Sequence, residues 1–270
     1  MPKHLYAQMT WEETNEAVAA GRVVLIPVAA IEQHGYHLPI DMDNLAVEEV
    51  CGEAARRAPE LLLSMPPIHY GYNEHNMDFP GTVSVTMEHF MDYCYDVGAS
   101  MARQGFRRIV FVNGHGSNAM LLNLTARKLT MQTEAAVAAL SHWSLAKPEI
   151  DRLRQSEYPG GMAHACEMET SLYLHLRPEL VQPDKIVDEY ERRSIPQSWS
   201  DLYGDGPVHF VDHYSRNSVS GVAGAARLAS AEKGRAFFEC EVEALVQVGR
   251  DFRAMERRPR HDYRAQPPAS

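Results

Sequence analysis

The 270 residues are enough for one large domain or two small ones, and 45% apolar with 23% charged residues is an ordinary globular composition. A chain this long buries a core without disulfide or metal staples, so a metal bound here is expected to be catalytic rather than structural. The formal net charge of −10 and the lack of any basic run argue against a nucleic-acid partner, which needs a basic stripe.

Cys51, Cys94, Cys166 and Cys240 lie far apart without a C-x-x-C pair, so neither a zinc knuckle nor a disulfide framework is expected. Met1 to Thr10 lacks the basic and apolar regions of a signal peptide, and no apolar stretch approaches the length of a membrane span. The expectation is a soluble cytoplasmic protein of a reducing compartment, with no membrane partner.

In chain order, Thr10 with Glu13 is a capping-box pattern that opens a short helix through Ala20, which Gly21 ends. Arg22 to Ile31 is a β-branched run that reads as a buried strand. After a polar loop, a helix is predicted from Asp43 to Arg57 and a strand over Leu61 to Met65. The loop from Pro66 to Thr82, rich in Gly, Pro, Asn and His, is too long for a mere connection. Thr86 caps a long helix ending at Gly105, followed by a strand over Arg107–Asn113, a helix over Ser117–Gln132 and a strand over Ala135–Ser141. Another helix is predicted from near His164 to before Pro178. A long one follows over Ala225–Met255, and the tail after Arg257 is predicted to be disordered. Buried strands alternating with helices indicate an α/β fold, a three-layer α/β/α domain over residues 1–257 with a mostly parallel central sheet. Residues 258–270 form the tail.

Ligands of such sheets sit beyond the carboxyl ends of the strands. Three polar clusters fall there: Glu32–Asp43, Asn113–Asn118 and His142–Trp143. The first, E-Q-H-G-Y-H-L-P-I-D-M-D, holds two histidines and three carboxylates in twelve residues, a donor set suited to zinc, manganese or iron(II). Glu32 and His34, at i and i+2, point to one face of an extended chain, and Asp43 follows a loop long enough to fold back. A carboxylate there can bridge two ions; Asp41 is read simply as a helix cap. In N-G-H-G-S-N, His115 is flanked by glycines that permit close approach, and it is a natural further ligand. In H-A-C-E-M-E-T-S, a helix would put His164 and Glu167 on one face and give Glu169 a different role. Cys166 reads as a small buried thiol. The polar loop Asn73–Asp78, with His75, suits recognition of a hydroxylated ligand. No G-x-S-x-G, P-loop or G-x-G-x-x-G motif is present.

Together these clusters resemble the creatininase family of metal-dependent amidohydrolases. The resemblance is to L-P-V-G-x-x-E-Q-H-G-x-H-L-P, here L-I-P-V-A-A-I-E-Q-H-G-Y-H-L-P, continued in F-P-G-T at Phe79–Thr82, N-G-H-G-x-N at Asn113–Asn118 and H-A-G-E-x-E-T-S at His164–Ser171. It covers about Thr10 to Gly234. It implies two divalent ions (zinc or manganese, with iron admissible), one on Glu32, Asp43 and His115, the other on His34 and Asp43. Some members give the second ion a glutamate at the position of Ser117, and Glu167 is the expected replacement. The resemblance implies further that His164 is the proton shuttle and Glu169 its orienting partner. His37, Asn73, His75 and Trp143 are the expected substrate contacts.

The implied activity is that of a hydrolase whose metal-bridging hydroxide attacks a carbonyl of a small cyclic amide or related C–N bond. Creatinine-hydrolysing members carry a tryptophan shortly before the shuttle histidine, and Tyr158–Ala163 has none; Cys166 also replaces a usual glycine. Two alternatives stand beside the first reading. One is hydrolytic ring opening of a cyclic ketone such as a keto-inositol; the other is a non-catalytic metal-binding or ligand-binding protein. The resemblance also implies a homo-oligomer, possibly a hexamer.

Overall fold

A computed structural model describes residues 2–191 and 195–264. Its first half is a repeat of strand, helix, strand. The hydroxyl of Thr10 accepts from the Glu13 amide at 3.3 Å and the Glu13 carboxylate takes the Thr10 amide at 2.7 Å, which starts α1 (Trp11–Ala19). β1 (Val23–Val28), α2 (Met42–Arg57), β2 (Leu62–Ser64), α3 (Met87–Arg103), β3 (Arg108–Asn113), α4 (Ala119–Gln132) and β4 (Ala136–Ser141) follow. The four strands are all parallel, in the order β2-β1-β3-β4, with Val24 opposite Ile109 and Ile109 opposite Val137.

Alternation along the two central strands builds two cores. Val23, Leu25, Val110 and Val112 face one layer, which comprises α2, α5 (Lys147–Leu153), α6 (Glu167–Leu176) and α7 (Ala231–Ala254). Val24, Ile26, Ile109 and Phe111 face the other, made by α1, α3 and α4. Burial on both faces explains why β1 reads as an unbroken apolar run. The predicted three-layer α/β/α architecture is observed.

The second half departs from the expected helix–loop–helix course. His164 does not lie on a helix. It ends a short strand, β5 (Met162–His164), and Ala165 then takes a left-handed conformation (φ 48°) that turns the chain into α6. β6 (Asp188–Glu189), a small hairpin of β7 (Ser200–Asp201) and β8 (Gly204–Asp205), and β9 (Ala223–Ala225) come next. β5, β9 and β6 pair into an antiparallel sheet in the order β5-β9-β6. The last helix begins at Ala231 rather than Ala225, because Ser230 caps it by accepting from the Lys233 amide at 3.2 Å while 223–225 are drawn into β9. Beyond Ala254 the chain has no helix or strand through residue 264. The rest of the predicted disordered tail, residues 265–270, lies outside the described residues.

No helix among the described residues is long and apolar enough to cross a membrane.

Candidate metal centre

The carboxyl ends of β1 and β3 and the N-terminus of α2 meet at one point. Glu32 follows β1, Asp43 sits in the first turn of α2, and His115 follows β3. Close approach there depends on Gly114, where a Cβ would stand 2.7 Å from the Asp43 carbonyl oxygen. Asp41, at the N-cap position, makes no cap bond; its carboxylate accepts from the Tyr173 hydroxyl at 2.7 Å, tying α2 to α6.

All three donors are buried, with Glu32 2%, Asp43 3% and His115 4% exposed. His115 Nδ1 lies 2.8 Å from Glu32 Oε1 and 3.2 Å from Asp43 Oδ2. Asp43 Oδ1 turns the other way, 3.2 Å from His34 Nε2, which is itself 3.8 Å from Glu169 Oε1. Glu32, Asp43 and His115 thus form one group able to hold a cation, and His34, Asp43 and Glu169 a second, with Asp43 in both.

Two observations test whether a metal fits. First, His34 Nε2 and Asp43 Oδ2 are buried without a hydrogen-bond partner among the described residues, although charged and polar atoms surround them. Second, the remaining ring nitrogens are held so that the converging ones present lone pairs. The Tyr72 carbonyl lies 3.1 Å from His115 Nε2 and the Glu32 carbonyl 3.3 Å from His34 Nδ1. A carbonyl only accepts, so each carries the proton of its ring and leaves the nitrogen facing the cluster free to ligate. Nitrogen and oxygen donors of this kind fit zinc or manganese.

Electrostatics without an ion follow from the same geometry. Burial would raise the Glu32 carboxyl, but His115, His164 and His34 hold it well below the usual carboxylate range. Burial likewise works against the charged form of His115, and Glu32 and Asp43 outweigh it, raising the imidazole to about 10. His34 is raised well above its ordinary value because Asp43 and Glu169 overcome its burial. The same carboxylates therefore favour the protonated form of His34 and His115.

Glu167 does not join this set. It is fully buried, with Lys233 Nζ donating to its Oε1 at 2.5 Å and the Gln155 and Ser156 amides donating at 3.0 and 2.9 Å. All of its acceptor capacity is spent on anchoring α7 and the 155–156 loop to α6. Glu169, two residues on, projects from another side of α6 and takes the place expected for Glu167. Among the described residues no hydrogen bond joins Glu169 to His164, its expected partner, although the His164 charge acts on the Glu169 carboxyl. His164 Nε2 lies 2.8 Å from the Gln33 carbonyl and 3.0 Å from the Gln33 side-chain nitrogen, and its Nδ1 is 3.8 Å from Glu32 Oε1.

The expected substrate contacts separate. His75 lies at the edge of the centre, stacked on His115 at 6.1 Å, with Nε2 3.2 Å from the Ser117 hydroxyl. Burial, aided by His115, lowers its pKa to about 4 and keeps it neutral. Asn73 is buried and accepts from Asn76, which also donates to Glu32 Oε2; the Asn73 Nδ2 has no partner. Trp143 lines an apolar hollow behind Asp43 and Glu169, beside His142 and Leu202. His37 faces no opening: it is fully buried, its Nε2 is 2.8 Å from the Thr170 hydroxyl, and burial lowers its pKa to about 4. It fastens the Glu32–Asp43 loop to α6, while its Nδ1 is buried with no hydrogen-bond partner among the described residues.

Residues not singled out from the sequence also shape the centre. Gln33, inside the first motif, bonds the Gly221 carbonyl at 3.0 Å, and Asn76 braces Glu32. Tyr214 stands edge-on over His164, with ring centroids 5.2 Å apart. It comes from the irregular C-terminal third, where no periodicity signals a role.

Comparison with known proteins agrees with this geometry. The family model for creatinine amidohydrolase, Creatininase, matches residues 7–248. The chain is 33% identical to the creatinine amidohydrolase of Pseudomonas putida over 261 residues, covering 90% of this chain and 95% of that protein. It is 30% identical to the 3-dehydro-scyllo-inosose hydrolase of Thermotoga maritima, covering 96% and 86%. A creatininase variant of the Zn–Zn type superposes with a TM-score of 0.78 at 32% identity, covering 93% and 98% of the two chains. A manganese creatininase gives 0.78 at 31%, covering 92% and 98%. The chain belongs to the creatininase family of hydrolases.

Proposed function

We propose that this chain is a dinuclear metal-dependent hydrolase that opens a small, polar cyclic amide or a related C–N bond. The observation that carries this reading is the Asp43 carboxylate, whose two oxygens turn toward two separate donor groups. Glu32, Asp43 and His115 would hold one ion, and His34, Asp43 and Glu169 the other. Such a pair, zinc or manganese as in the similar structures, supplies an acidified water and polarises a carbonyl.

The protein's own groups do the rest. His164, held at Nε2 by Gln33, has its Nδ1 3.8 Å from Glu32 Oε1. It can take a proton from the attacking water and pass it to the leaving atom, a transfer worth about 10²–10⁴ in rate. The neighbouring His75 and Asn73 would meet polar substituents of the substrate, and Trp143 would back its apolar side.

A second reading, hydrolytic ring opening of a cyclic ketone, is favoured by the similarity to the inosose hydrolase and by the absence of tryptophan in Tyr158–Ala163. A non-catalytic binding protein is the third. We also infer a homo-oligomer, supported by the exposed Met120, Leu124 and Met131 on one side of α4. The four free cysteines suit a reducing compartment such as the cytoplasm.

The test is elemental analysis of metal-supplied protein together with turnover of lactams, formamides and keto-inositols. About two ions per chain are expected, with Asp43→Ala losing most of both and activity falling at least about a thousandfold. Full metal content in Asp43→Ala would refute the bridging role. Activity on ketones alone would select the second reading.

A further inference from the structure

The segment from 207 to 222 packs Tyr214 against residues around the candidate centre. Its ring is edge-on to His164 at 5.2 Å, to His75 at 6.4 Å and to Phe79 at 6.3 Å. The segment is latched on both sides of the tyrosine. Ser215 donates to Asp78 at 2.5 Å, Glu189 accepts from the Val219 and Ser220 amides at 2.8 Å each, and Gln33 holds the Gly221 carbonyl. Gly221 is required for that last contact, since a Cβ there would fall 1.9 Å from Gln33 Oε1.

So firmly held a ring should have a satisfied hydroxyl, and this one does not. The Tyr214 hydroxyl is sealed from solvent and has no hydrogen-bond partner among the described residues. A buried hydroxyl left unmade costs about 1–3 kcal/mol, and most such groups in folded proteins are paired. The ring it tops lies against His164 and His75, which border the candidate centre.

We propose that Tyr214 is a substrate-binding residue whose hydroxyl donates a hydrogen bond to an oxygen of the bound substrate, on the His164 side of the centre. This rests on the hydrolase reading above. The substrate class narrows accordingly, to compounds that present an oxygen acceptor, a carbonyl or ring hydroxyl, toward Tyr214.

Tyr214→Phe removes one oxygen and keeps the ring contacts. Its melting temperature without ligand should equal or exceed that of the wild type, and its metal content should be unchanged. On the best substrate of the lactam, formamide and keto-inositol panel, kcat/KM should fall about ten- to a hundredfold. A lowered melting temperature would mean that the hydroxyl has a structural partner, and an unchanged kcat/KM that it does not touch substrate; either result overturns the proposal while leaving the hydrolase reading intact. Metal-loaded wild type inactive on the whole panel would instead overturn the hydrolase reading, and this proposal with it.

Discussion

The two halves of the centre are built by different means. Glu32, Asp43 and His115 come from the ends of β1 and β3 and the start of α2, elements joined by the parallel sheet and its core. Their positions follow from backbone pairing, and a Cβ at Gly114 would break them. His164, Glu169 and Tyr214 come from short, irregular pieces: a three-residue strand, a helix entered through a left-handed alanine, and a loop latched by Glu189 and Gln33. The sheet half would hold the first ion, while the covering half would complete the second through Glu169 and set the proton shuttle and the substrate against both. Family members can thus share the first half and differ in the second, which is where substrate choice would reside.

Removing His164 separates the halves most sharply. His164→Ala should cost about 10²–10⁴ in turnover while metal content stays near that of the wild type. If instead turnover is unaffected, His164 is not the proton shuttle. Within the covering half, α6 offers two acids with opposite expected phenotypes. Glu167→Gln breaks a buried pair with Lys233 and should destabilise the fold by about 3 kcal/mol in denaturant titration without loss of metal. Glu169→Gln should leave stability nearly intact and lower the metal content toward about one ion per chain. Reversed phenotypes would restore Glu167 as the ligand.

The smallest expected effect is a pH dependence of opposite sign in metal-free and metal-loaded protein. His115 is raised from 6.5 to about 10 by Glu32 and Asp43, so its contribution to metal-free stability is complete below pH 6.5 and is lost as pH rises toward 10. The metal-free melting temperature should therefore drop between pH 7 and 9.5. Ions must displace the protons of His115 and His34, so metal uptake at pH 7 should release on the order of two protons per chain, and affinity should strengthen with rising pH. Calorimetric titration in buffers of different ionisation enthalpy reads that number directly; zero release would contradict protonated histidines in the metal-free centre.

Much of the ligand set is legible in the chain because its signals are local. The buried run before Glu32, the i, i+2 spacing of Glu32 and His34, and the glycines around His115 each carry a direct geometric meaning. The roles of the two glutamates of α6 are not local in this way: they depend on where the helix starts, and helix periodicity predicts His164 inside it, whereas α6 begins at Glu167. The antiparallel pairing of Met162–His164 with Ala223–Gly224 is a contact across some sixty residues that no local pattern announces.

By itself, then, the sequence determined the three-layer α/β/α fold, the edge of the sheet at which the polar residues gather, and Glu32, His34, Asp43 and His115 as candidate donors there. These depend on hydrophobic alternation and on spacing within single segments. Only the tertiary structure decided that Glu167 is neutralised by Lys233, that Glu169 faces His34, that His37 is sealed against Thr170, and that Tyr214 covers His164. Each of these depends on which distant side chain or backbone group occupies the facing volume, and burial and hydrogen-bond satisfaction settle that for the folded chain as a whole.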